Sequence, residues 1–490
     1  MQYITVECDH LWLPVARDRE EVTVHFYCDG EKFREIHLKL TDGKEDHWFA
    51  TDVSKFKGKQ ICLQGDFDPA LFAKILQRNE KPERDYPYRP VIHFTATAGW
   101  INDPNGLVFA KGVYHLYHQW NPYGTEWGNM HWSHAVSRDM ISWEEQGMAL
   151  EPDEFGTAFS GCGWEDEKNA AGFGADALLF FYTAAGDDAQ CLWSKEQGHL
   201  CTQRLAVSTD GGKTLQKEGL ILDHVKGSNR DPKVLWHEES GAYIMVLFLD
   251  ETEFAVYRSD DLRSWEEASR FSYPPMWECP DLFMPETEDG AKKWVFWSAD
   301  GYYRIGDFDG YRFTPQTEVL KAYDTELPYA AQTYAGLQGR VVSVSWLRTK
   351  NDRGGFRGMM AVPVQLSIGR TKEGERIRFA PVKELWDRFS LKAEHSPNQE
   401  GTFVLPLAGA PAVLEVEWTG CEALMQVGSA KIRFSQTEGS TVLIIDHGIV
   451  EYYGNGGFAY GALETDETVL SEECRILAGA AVVREYRMDS

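Results

Sequence analysis

Basic residues are scarce in this chain. Against 76 Asp and Glu stand only 49 Lys and Arg in 490 residues, a formal net charge of -27. A phosphate-neutralising surface needs the reverse balance, which argues against a nucleic-acid partner and leaves solubility as the plain meaning of the acidity. Long apolar runs are missing too. No stretch approaches the ~18 residues of a membrane-spanning helix, so no membrane partner is expected. The first residues, MQYITVECDHLWLPV, lack a basic segment followed by an apolar one, so no secretory leader is expected. The nine cysteines are scattered and form no C-x-x-C pair, which points away from zinc and dithiol chemistry. These absences together suggest a reducing, cytoplasmic compartment. Convincing helical periodicity is likewise lacking.

Aromatic residues, in contrast, are abundant at 13%, with 17 Trp, 21 Tyr and 26 Phe. Flat rings suit pleated sheets, and they also suit stacking on sugar faces. Residues 1–88 contain short alternating runs at 21–28, 35–41 and 60–68, which predict an N-terminal β module. Residues 69–78 allow one helix, and the Pro-rich stretch NEKPERDYPYRP reads as a linker.

From about residue 91 the sequence repeats loosely. Apolar strands recur at 113–120, 177–184, 243–249, 294–299 and 341–347. The first four are followed by a second strand phrase with an Asp/Gly turn, at 134–145, 205–218, 254–267 and 303–313; 358–368 is the weaker fifth. Five such units predict an all-β fold, a five-bladed β-propeller over residues 89–378. The remaining residues, 379–490, read as a C-terminal β-sandwich-like module.

Each unit opens on polar or charged residues. The first opens on Asn102-Asp103-Pro104-Asn105-Gly106, the second on Phe159-Ser160-Gly161, and the third on Arg230-Asp231-Pro232. The fourth opens on Trp277-Glu278-Cys279-Pro280-Asp281 and the fifth near Tyr329-Ala330-Ala331-Gln332. Singly, each is also a turn or an ion pair. Their coincidence at the unit starts predicts innermost strands that converge on one axial pocket. Three carboxylates gathered there match glycoside hydrolysis, which uses one carboxyl as acid and another as nucleophile or base. Glu278, between Trp277 and Cys279, is the expected acid. Asp103, flanked by Asn102 and Asn105, is the expected ionised group.

These segments resemble family 32 of the glycoside hydrolases, which contains invertases, exo-inulinases, levanases and sucrose-6-phosphate hydrolases. WINDPNG at 100–106, FSG at 159–161, RDP at 230–232 and WECPD at 277–281 occur in the family's order. The resemblance implies a retaining β-fructofuranosidase that needs no cofactor or metal. It implies Asp103 as nucleophile, Glu278 as acid and base, and Asp231 with Arg230 on the fructosyl hydroxyls. Asn102 and Gln119 would hold further hydroxyls, and Trp127, Phe159, Ser160 and Trp346 would wall the pocket. The sequence departs from the family pattern at Cys162, Ser133 and Tyr334. Sucrose and short fructans are the expected substrates. Sucrose-6-phosphate hydrolysis, with Lys195, Arg204 or Lys226 as phosphate ligands, and fructosyl transfer are the alternatives; a non-catalytic sugar-binding protein fits less well. A homo-oligomer is compatible with the sequence.

Overall fold

The computed structural model describes all residues except 84–88, 397–402, 408–409, 419–422, 435–438, 466–472, 479 and 489–490. The central part of the expected linker, and parts of the expected C-terminal strands, lie outside the described residues.

Antiparallel strands dominate. At the N-terminus, Gln2–Thr5, Gln60–Gln64, Val22–Cys28 and Glu31–Leu38 form a four-stranded sheet. Beside it lies a three-stranded sheet of His47–Asp52, His10–Val15 and Leu76–Arg78. Val24, Phe26, Leu11 and Phe49 meet in a core between the two. The helix expected at 69–78 is only a 3-10 turn, Pro69–Lys74, started by Asp68 accepting from the Ala70 N–H at 2.9 Å. Beyond it, Leu76–Arg78 is drawn into the sheet edge against His10–Trp12, where its backbone groups find partners a longer helix would forfeit.

Five sheets follow in chain order. Their first strands are Gly99–Ala110 (β1), Thr157–Glu165 (β2), Arg230–His237 (β3), Asp281–Phe283 (β4) and Pro328–Thr333 (β5). Every one stands at or next to the end of its sheet. Each packs on the next and β5 packs on β1, so the first strands close a ring. The apolar runs seen in sequence are the second strands, such as the fully buried Leu178–Ala185. The repeated Asp turns are real turns: Asp139, Asp210, Asp261 and Asp309 each accept two backbone N–H bonds two to four residues ahead. The outer strand of the fifth sheet, Gly374–Pro381, runs past the expected boundary at 378.

Two further sheets, of six and four strands, complete the chain. Leu414, Val416, Met425, Leu443 and Ile476 fill the space between them. His93, just ahead of β1, ties these sheets to the ring. Its Nδ1 lies 3.0 Å from Asp446 and its Nε2 2.8 Å from Glu451, and none of the three side chains is exposed.

Candidate active site

One irregularity builds the site. In β1, Ile101 pairs with Trp120 but Pro104 pairs with His118, so one extra residue is inserted. The same slip separates Ala158 from Gly161 in β2, Arg230 from Lys233 in β3, and Tyr329 from Gln332 in β5. Just ahead of β4, the Ala299 N–H reaches the Glu278 carbonyl at 3.1 Å, whereas Asp281 pairs with Trp297, which is again one residue too many. Five bulges thus sit at one level of the ring. A bulge kinks its strand and re-aims the side chains beside it. Asp231, Cys279 and Ala330 occupy the same bulge position and all are left-handed, with φ of 63°, 43° and 49°. Such conformations in non-glycine residues cost about 1–3 kcal/mol each and concentrate at functional sites.

The carboxylates therefore occupy three successive positions of one bulge, Glu278 before it and Asp231 and Asp103 within it, rather than one repeated position. Asp103 and Asp231 line a small cavity to which all five sheets contribute, with Ser160, Cys279 and Gln332 among its walls, and Glu278 adjoins it through Cys279. The Ser160 hydroxyl donates to Asp103 Oδ2 at 2.7 Å. Cys279 ties two acids together: its N–H donates to Asp231 Oδ2 at 3.0 Å, and its Sγ lies 3.5 Å from Asp231 and 3.7 Å from Asp103. The Asp231 N–H donates in turn to Thr183 Oγ1 at 3.1 Å.

Glu278 is held at both oxygens. Arg230 donates to Oε2 at 2.7 Å, and the Tyr329 hydroxyl donates to Oε1 at 2.5 Å. Arg230 is itself fixed by Ser228 at 2.7 Å and lies over the Phe248 ring. Burial raises the pKa of Glu278 in spite of these donors. Burial likewise pushes Asp231 up to about 7, with the neighbouring Glu278 and Asp103 charges adding to the effect against Arg230. Two buried acids sharing one guanidinium, Asp231 and Glu278, cannot both ionise cheaply.

The expected residues separate into groups. Asp103, Ser160, Asp231, Arg230 and Glu278 come together. Phe159 and Trp127 form an edge-to-face pair at the rim, 6.0 Å between centroids. Trp346 packs edge-on against Trp100 at 5.5 Å and Tyr329 at 6.2 Å, giving an apolar wall. Asn102 is turned to the Trp100 indole, which donates to it at 2.9 Å, and Gln119 donates to the Ala158 carbonyl at 2.9 Å. The bond to the Asp103 carboxyl comes from Ser160 and not from Asn102 or Asn105. Trp277 is partly exposed, and its indole donates to Asp300 at 2.9 Å. Cys162 sits in the core, its sulfur accepting from the Val234 N–H at 3.1 Å. Tyr329 and Cys279 escaped selection from sequence. The signal was their position at the opening of a repeat unit, which had already singled out the acids.

Residues 93–381 match the N-terminal domain of glycosyl hydrolases family 32. The chain belongs to that family. Family 32 relatives include a levanase of Bacillus subtilis, 36% identical over 335 residues, which are 61% of this chain and 48% of the levanase. This chain thus spans about half the length of that relative. A fructan beta-fructosidase of Streptococcus mutans is 33% identical over 72% of this chain and 25% of its own length. Among solved structures, the exo-inulinase of Aspergillus awamori superposes with a TM-score of 0.72 over 83% of this chain and 99% of its own, at 24% identity. Fructan 1-exohydrolase IIa of Cichorium intybus superposes with a TM-score of 0.68 over 83% and 98%, at 18% identity. Their shared architecture, a β-propeller joined to a β-sandwich, is the fold of this family 32 chain.

Proposed function

We propose that this family 32 chain is a retaining β-fructofuranosidase on a five-bladed propeller, the five ring-closing sheets being the blades. It releases terminal β-D-fructosyl units from sucrose and short fructans. One observation carries the reading: Asp103 lines the cavity and Glu278 stands beside it, close enough for the Asp103 charge to act on it, in unlike surroundings. Asp103 is steadied by the Ser160 hydroxyl, and Glu278 is buried with its pKa raised. A hydroxyl-bonded carboxylate beside a buried carboxyl with a raised pKa makes a nucleophile and acid pair. Asp103 attacks the anomeric carbon as Glu278 gives its proton to the leaving oxygen. Water, deprotonated by Glu278, then opens the covalent fructosyl-enzyme. Asp231 and Arg230 bind fructosyl hydroxyls beside the reacting carbon.

Phosphorylated sucrose is less well served. Lys226 is paired with Glu253 at 2.5 Å and Arg204 is stacked on Phe155 at 3.6 Å. We further place the enzyme in a reducing compartment, in keeping with eight free cysteines among the described residues, five of them buried.

The test is fructose release from sucrose, sucrose-6-phosphate, kestose-type oligosaccharides, inulin and levan, with the anomer of the first product read by NMR. Release of the β-anomer from the unphosphorylated sugars supports the proposal. An inverted first product removes the covalent step, and products longer than the substrate reassign the enzyme to transfer.

A further inference from the structure

The N-terminal sheets grip the rim of the cleft at two loops. One, residues 122–130, joins the second and third strands of the first sheet. The other, 186–201, does the same in the second. Both start where strands antiparallel to β1 and β2 end, so they rise on the face where the bulges open. In the first loop, Tyr123 is inserted into the N-terminal core, and its hydroxyl lies 3.1 Å from Thr51 Oγ1. Asn129 acts as a strand mimic: its amide accepts from the His37 N–H at 2.8 Å and donates to the His37 carbonyl at 2.6 Å. In the second loop, the Leu192 N–H donates to Glu35 at 2.6 Å, and Gln190 donates to Glu21 at 3.2 Å. Gln190 also lies over Gly128, whose φ of 153° is a conformation that residues with a side chain rarely adopt.

Between these grips stands Trp127, 47% exposed. Its ring meets Phe159, whose neighbour Ser160 bonds Asp103. Trp127 also lines a shallow crevice, open to solvent, between the N-terminal sheets and the first sheet. Arg17, Glu21, His37, Lys39 and Glu126 line it as well. Charged and hydrogen-bonding groups around one accessible indole suit a polyhydroxylated chain, whose hydroxyls take the polar groups and whose ring faces take the indole.

We propose that this crevice is a binding site for the sugar units beyond the fructosyl group being cleaved, so that the N-terminal module selects for oligosaccharide over disaccharide. This rests on the fructosidase reading and names the substrate length of that site. Binding energy from such remote units raises kcat/KM for longer substrates.

The experiment uses the full chain. First, the Asp103→Asn protein is titrated calorimetrically with sucrose and with tri- and tetrasaccharide fructo-oligosaccharides. Affinity is expected to rise at least ten-fold from disaccharide to tetrasaccharide, and an added Arg17→Ala/Lys39→Ala pair removes that rise. Second, in the otherwise unsubstituted enzyme, the same pair lowers the ratio of kcat/KM for tetrasaccharide to that for sucrose five- to ten-fold. If the pair does not fold, Glu126→Gln, isosteric and with 66% of its side chain exposed, reads the same ratio. Length-independent affinity, or an unchanged ratio in the folded variants, overturns the proposal. Failure of the unsubstituted chain to hydrolyse any β-fructoside overturns the fructosidase reading and this one with it, whereas hydrolysis without length selection overturns this one alone.

Discussion

Two buried charge clusters, one in the cleft floor and one at the joint to the C-terminal sheets, use the same residue types to opposite ends. At the joint, Asp446 accepts N–H bonds from Val91, Ile92 and His93, and both it and Glu451 face the His93 ring. Glu451 is further satisfied by the Val362 N–H and by the Tyr453 and Tyr460 hydroxyls. So many donors hold Asp446 well below the usual carboxylate range, and the two carboxylates push His93 up to about 9 although burial opposes it. In the floor, Asp231 and Glu278 share one arginine with Asp103 close by, and burial wins: Asp231 and Glu278 are both raised. The count of donors, not burial, decides which cluster stabilises the fold and which holds a proton ready for chemistry.

The comparison breaks most visibly through activity. Asp103→Asn and Glu278→Gln are each expected to lower kcat on sucrose by roughly 10²–10⁴-fold, measured by fructose release, with the fold intact by circular dichroism. Near-normal turnover in either variant removes the assigned mechanism.

Next in size is a matched pair of neutralisations read by denaturant unfolding. Asp446→Asn strips the partner from a buried imidazolium and is expected to cost about 3–5 kcal/mol. Asp231→Asn relieves an acid whose ionised form the fold disfavours. It is expected to leave stability at pH 7 unchanged or higher while activity falls, the trade expected of a strained site. Equal losses from both would erase the distinction between the clusters.

The pH dependence of stability sharpens the same point. His93 has a folded pKa of about 9 against about 6.5 when unfolded, so its contribution is complete below pH ~6.5 and is lost as pH rises through about 9. Asp446, with its pKa lowered, contributes above the unfolded carboxylate value and loses that contribution as pH falls. Asp231 runs the other way, its raised pKa making folding costlier as pH rises from about 4 toward 7. Melting temperature measured from pH 5 to 10 is expected to decline at the alkaline end in the parent, and the decline is expected to vanish in His93→Gln.

How much of this was legible follows from the same physics. The repeat, the Asp turns and the convergence of Asp103, Asp231 and Glu278 were readable, because strand alternation and turn residues are local properties. The bulges were not, since a one-residue slip shows only against the partner strand. That is why Cys279, whose sulfur meets Asp103 and Asp231, and Tyr329, bonded to Glu278, were not selected from sequence. The His93 joint was invisible for a related reason: its partners lie more than 350 positions away. The Pro69–Arg78 segment failed by tertiary override, its end being claimed by a sheet edge.

Tyr329 offers the finest test, because it touches the proton itself. Its hydroxyl donates to Glu278 Oε1, and that bond favours the ionised carboxylate, lowering the pKa of Glu278 against the stronger upward effect of burial. In Tyr329→Phe the bond is gone but Arg230 still holds the other oxygen. The pKa of Glu278 then moves further up. The acid stays protonated to higher pH, and the alkaline limb of the kcat/KM profile moves upward with it. One hydrogen bond to a charged group is worth about 1.5–3 kcal/mol, and one pKa unit is about 1.4 kcal/mol, so the shift is expected to be no more than about one to two units. Loss of orientation lowers kcat only a few-fold. A residue that merely packs lowers the melting temperature and leaves the limb where it was. That outcome assigns the tuning of Glu278 to Arg230 and burial alone.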